Sequence, residues 1–154
     1  MSGKPILIVG SIGLDTIETI SDRRESILGG SATYATVSAG KSADVHLVGI
    51  IGTDFPAEGI KIFEEYSQDL SNLDQKDGQT FSWGCRYPED WDDRETLFTE
   101  LGVFVDYEPK LTENNKNTPI LFLANIHPEL QLSVLQQNSK RECVIIDTMN
   151  LWIG

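Results

Sequence analysis

The residues best equipped for chemistry come early in the chain. Gly10-Ser11-Ile12-Gly13-Leu14-Asp15 follows a short apolar run, and Ile27-Leu28-Gly29-Gly30 precedes a stretch of small residues. Asp15 stands just past a strand end. Its carboxylate suits either the cap of a turn or the acceptance of charge-assisted hydrogen bonds from substrate hydroxyls. Gly29-Gly30 also carries two readings. The pair can turn the chain back towards a sheet, or its missing Cβ atoms can let backbone approach a ligand. A helix opening there, with Ser31 as N-cap, would offer N–H groups and partial positive charge to an oxygen-rich ligand.

Several chemistries are not indicated. The Gly10-x-x-Gly13 turn is not G-x-G-x-x-G, and no helix opens directly after it, so it is not the dinucleotide fingerprint. No G-x-x-x-x-G-K-[ST] phosphate loop occurs. His46 and His127 are isolated, without the spacing of a zinc site. Cys85 and Cys143 lack a C-x-x-C spacing and read as free thiols of a reducing compartment. The formal net charge of −12 over 154 residues would repel a phosphate backbone, which argues against nucleic acid as a partner. Much of that acid falls between Glu89 and Glu108 and reads as a solvated face. No apolar run approaches the roughly 18 residues of a membrane span. The opening MSGKPILIVG is too short in apolar residues for a signal-peptide core, so the expected location is cytoplasmic, with no membrane partner.

The elements that must position these residues alternate. PILIVGS is a strand of the type buried on both faces. TIETISDRRESI is a weak strand or hairpin with one exposed face. Ser31–Ala43 reads as a helix whose Ala32, Ala35 and Ala39 form a stripe suited to lying close on a sheet. VHLVGIIG is a second buried strand. AEGIKIFEEYS is an amphipathic helix with Ile60, Phe63 and Tyr66 facing in. TFSWGCRYPED and ETLFTELGVFVDY then form a hairpin around the polar DWDDR. TPILFLAN, PELQLSVLQQN (with Pro128 in its first turn) and ECVIIDTMN restore the strand–helix–strand rhythm. The fold class is α/β, a mostly parallel sheet covered on both faces. Two β excursions, about 16–28 and 79–107, leave the core (1–15, 29–78 and 108–154) near strand carboxyl ends, where open α/β sheets bind ligands. They are placed to meet as a lid. The last strand reads as buried yet has no following helix, so the chain is expected to be part of a longer one.

ILIVGSIGLDTIE, LGGSATYATVSAG and VGIIGTDFP together resemble the first half of the ribokinase-like (PfkB-type) carbohydrate kinases. TFSWGCRY, LGVFVDYEPKL, LFLANIHPELQ and VIIDTMNLWI are similar to a bacterial sugar-kinase branch of that family. The resemblance covers nearly the whole chain. It implies a ribokinase-like fold with a β lid, truncated here, and phosphorylation of a sugar or nucleoside hydroxymethyl group by ATP and Mg2+. By position it makes Asp15 the carboxylate for sugar hydroxyls and Gly29 and Gly30 the glycines lining the pocket. Tyr34 stands where many members have asparagine, which implies a different hydroxyl pattern or a substrate other than ribose. Gly52 and Asp54 match a G-x-D element. Phe81 and Arg86 on the second excursion are candidates to reach down onto substrate, although packing within the lid would account for them too. Asn125 at a strand end is a candidate polar contact, and Asp147–Asn150 falls near the phosphate side. The family's D-T-x-G-A-G-D signature, which carries the catalytic base and an anion hole, does not occur. The resemblance thus implies no catalytic residue within this chain and a base beyond Gly154. The chain alone is therefore expected to bind substrate without turnover. Lid strands often pair between subunits in this family, so a homodimer is also implied. The alternative function is a standalone, non-catalytic sugar-binding or regulatory protein.

Overall fold

In the computed structural model, residues 3–89 and 93–149 are described. They form β1 (Ile6–Val9), β2 (Gly13–Glu18), β3 (Arg23–Gly29), α1 (Ser31–Ala39), β4 (Val45–Gly52), α2 (Ala57–Tyr66), β5 (Asp69–Lys76), β6 (Ser82–Arg86), β7 (Glu95–Glu100), β8 (Ile120–Leu123), α3 (Pro128–Gln137) and β9 (Cys143–Ile146). One sheet has the order β5-β4-β1-β8-β9, and every pairing in it is parallel. Successive side chains of β1 point to opposite faces, so this aliphatic strand feeds two cores. Ile8 joins Val45, Leu47 and Ile51 against α1 and α2, where Ala32 and Phe63 are buried. Leu7 and Val9 join Val48, Leu121 and Leu123 against Val134 of α3. Each such side chain contributes about 1.5–3 kcal/mol by leaving water. The alanine stripe lets α1 lie close on the sheet, with Ala35 and Ala39 packed against the first core.

A second sheet has the order β3-β2-β6-β7. β2–β3 and β6–β7 are antiparallel hairpins, and β2 pairs with β6 in parallel. The two β excursions therefore do meet.

Three expectations change. Gly30, not Ser31, is the N-cap of α1, which ends at Ala39 rather than Ala43. A Cβ on Gly40 would lie 2.2 Å from the carbonyl oxygen of Tyr66, so the helix stops where it meets the end of α2. The polar DLSNLDQK, unassigned from sequence, is edge strand β5. Asn72 is buried there, and Leu70 and Leu73 pack on the core. β7 ends at Glu100. Gly102–Phe104 then forms a 3-10 turn that returns Val103 and Tyr107 to Ile50 of β4, because local packing on the core outweighs the strand-like composition. β9 is exposed along its length: Ile145 is 47% and Ile146 60% accessible. It closes the strand order and, among the described strands, pairs only with β8.

Candidate functional site

The carboxyl ends of β1 and β8 face the second sheet across a cleft of about 960 Å3. Asp15, in the middle of β2, stands on its wall. Burial pushes the Asp15 carboxyl up to about 6, although a hydrogen bond from the Trp83 backbone N–H pulls the other way. Its Oδ1 is buried with no hydrogen-bond partner. Buried polar atoms are nearly always paired, so an unused acceptor beside a cleft is a site for an incoming donor.

The two glycines have distinct tasks. A Cβ on Gly29 would lie 2.0 Å from Asp15 Oδ2, so this glycine makes room for the carboxylate from the neighbouring strand. Gly30 lines the cleft itself. Its φ is 93°, a region L side chains rarely enter, and a Cβ there would lie 2.3 Å from the Ser11 carbonyl oxygen. The start of α1 is then tied down by Ser11 rather than left open. Ser31 N–H donates to Ser11 Oγ at 3.1 Å, Ala32 N–H donates to Ser11 O at 3.0 Å, and Ser31 Oγ donates to Asn125 O at 2.9 Å. The expected offer of free helix N–H groups is reduced accordingly.

The Gly52-x-Asp54 element fixes the entry to the second excursion. Asp54 Oδ1 accepts from Thr80 N–H at 2.8 Å and from Thr80 Oγ1 at 2.7 Å, while Gly52 N–H donates to Thr80 Oγ1 at 2.9 Å. The next residue, Phe81, accepts from Leu14 N–H at 2.9 Å, so the clamp sets β6 beside the strand that carries Asp15.

Of the seven residues singled out from sequence, Asp15, Gly30, Phe81 and Asn125 line the cleft, and Gly29 lies directly behind Asp15. Tyr34 and Arg86 do not reach it. On α1 the buried positions are Ala32, Thr33 and Thr36. Tyr34 lies on the other side, 64% accessible, over a shallow groove with Leu28 and Val37. Arg86 is drawn away by its cross-strand partners: its guanidinium donates to Glu18 at 2.8 Å and to Glu95 at 3.3 Å. Asp147, Thr148 and Met149 line the cleft, with Asn125 Nδ2 3.1 Å from Met149 Sδ. Asn150 and Gly154 lie outside the described residues, and so does the catalytic base expected beyond Gly154. Sequence reasoning missed Trp83, Arg94 and Phe104. Trp83 was legible from period-2 spacing, two positions beyond Phe81 on one face of a strand. Arg94, next to the polar turn, carried no such signal; its guanidinium carbon lies 5.0 Å from the Trp83 ring centroid.

No family model matches the chain. It is 30% identical over 134 residues to the cytidine kinase of Thermococcus kodakarensis, an alignment covering 86% of this chain and 47% of that protein. The nucleoside kinase of Methanocaldococcus jannaschii, described as an archaeal member of the ribokinase family, superposes with a TM-score of 0.74 at 20% identity, over 95% of this chain and 52% of that one. Ribokinase from Cryptococcus neoformans var. grubii serotype A, in complex with ADP, gives a TM-score of 0.77 at 16% identity, over 98% and 51%. The chain spans about half the length of these relatives.

Proposed function

We propose that this chain, which has the ribokinase-like fold and resembles ribokinase-family kinases over about half of their length, forms the substrate-binding side of a kinase that phosphorylates a sugar or nucleoside hydroxyl from ATP. The observation that carries the reading is the Asp15 carboxylate beneath the second sheet, whose buried Oδ1 has no hydrogen-bond partner. An ionised Asp15 accepts hydrogen bonds from substrate hydroxyls and orients them, and the amide of Asn125 faces the same cleft. The β6–β7 hairpin lines the same cleft with Trp83, Thr96 and Thr99. Phosphoryl transfer also needs a base and positioned positive charge. We assign neither to this chain, whose sequence has no G-A-G-D. Among the described residues, no group of three or more His, Cys, Asp or Glu side chains could hold a metal ion. Asp147 and Thr148 face the cleft as polar groups. β3 and β7 are the edges of the second sheet, and pairing of such edges between two copies would give a homodimer. A protein working on small metabolites in the cytoplasm fits this reading, and among the described residues no helix is long and apolar enough to cross a membrane.

The test is titration calorimetry of the chain against ribose and nucleosides. Saturable binding that Asp15→Ala abolishes, with an unchanged circular dichroism spectrum, supports the reading. Absence of binding across the panel overturns it. ATP-dependent phosphorylation by the chain alone would overturn the division of labour.

A further inference from the structure

The cleft's lid side is aromatic. Phe81, Trp83 and Phe104 all line it, and the rings of Phe81 and Phe104 meet at 6.2 Å, tilted by 54°. Arg94 stacks on Trp83. Unlike Arg86, which is held by Glu18 and Glu95, Arg94 makes no ion pair with a carboxylate among the described residues. A free sugar offers such a wall only a small C–H face, whereas a flat heteroaromatic ring meets it with its whole π-surface. A ligand with one polyhydroxylated end and one flat heteroaromatic end suits both halves of the cleft. Aromatic side chains and arginine planes are the usual platforms for a base, because every base has a π-face.

The two halves are also joined. The Trp83 backbone N–H bonds to the Asp15 carboxylate, so one residue touches the hydroxyl-binding group and supplies the flat surface. In a nucleoside the base is attached to the carbon next to the one bearing the 2′-hydroxyl. Hydroxyls held by Asp15 therefore bring the base within reach of the indole. The guanidinium over that indole offers N–H donors to a base's carbonyl oxygens or ring nitrogens.

We propose that the ligand is a nucleoside rather than a free sugar, with Trp83 and Arg94 as the platform that binds its base. This rests on the substrate-side reading above. Calorimetry of the chain with uridine, adenosine and ribose tests it. At least one nucleoside should bind about tenfold or more tightly than ribose. Trp83→Ala should erase that advantage, while Trp83→Phe should keep most of it. Arg94→Gln, at an exposed side chain, should weaken the nucleoside severalfold and spare ribose. If Trp83→Ala does not fold, Arg94→Gln decides, and unchanged nucleoside affinity in that variant overturns the platform. Ribose binding as tightly as both nucleosides overturns this inference and leaves the substrate-side reading standing. Binding of none of the three overturns both.

Discussion

Asp15 Oδ2 lies 2.0 Å from where a Cβ on Gly29 would be, and Asp54 Oδ1 lies 2.6 Å from where a Cβ on Gly52 would be. Two glycine–aspartate pairs thus sit where the second sheet joins the core, built on the same spatial device. They differ in what the carboxylate does with the space. Asp54 spends its Oδ1 on the N–H and hydroxyl of Thr80, holding the lid to β4. Asp15 keeps a buried oxygen without a partner. Proximity to the lid does not separate a structural acid from a binding one. The acceptor capacity left over does.

The Asp54 side should respond in stability. Gly52→Ala places a Cβ 2.3 Å from the Gly78 carbonyl oxygen and 2.5 Å from Thr80 N. Both are backbone atoms, so the chain itself must move. Urea denaturation should show a loss of about 3 kcal/mol, with ligand binding lost alongside; a change below about 1 kcal/mol would refute the clamp. Asp54→Ala leaves two donors of the buried Thr80 unpaired and should cost about 2–3 kcal/mol by the same measurement.

The Asp15 side should respond in binding instead. Asp15→Asn should reduce ligand affinity by about ten- to a hundredfold, the loss expected for a charge-assisted hydrogen bond, while the melting temperature holds or rises because no charge is then buried. Gly29→Ala should also weaken binding, by displacing the carboxylate. A large drop in melting temperature without loss of affinity would assign Asp15 to the same class as Asp54.

The smallest effect is in pH. Asp15 has its carboxyl raised from 3.8 to about 6 by burial, so the folded chain holds this proton more tightly than the unfolded one. Asp15 therefore costs stability as pH climbs from about 4 through about 6. Ligand affinity, which uses the carboxylate, rises over the same interval. The melting temperature of the wild type should decline relative to Asp15→Asn between pH 4 and pH 7; parallel profiles would refute the shift.

Much of this was legible in the order of residue types. Buried aliphatic runs such as ILIV and VHLVGIIG announce parallel strands because both faces need apolar cover. β5 was not legible, because an edge strand can be polar on its open side. β9 also reads as buried from its apolar residues; in this chain, which spans about half the length of its relatives, they lie exposed at the sheet edge. At the site, Asp15 and the glycine pair stood out because their types are costly anywhere else. Tyr34 and Arg86 were chosen by position along the chain, while helix phase and cross-strand charge pairing turn them outward.

By itself the sequence determined the α/β alternation and the two excursions, and it marked Gly29-Gly30 as either a turn or a close approach, since hydrophobic period and the absence of a Cβ are local properties. Only the tertiary structure decided which aspartate is open. Whether a carboxylate oxygen finds a partner depends on contacts between residues far apart in the chain, such as Asp54 with Thr80 and Asp15 with Trp83. No local pattern encodes those pairings.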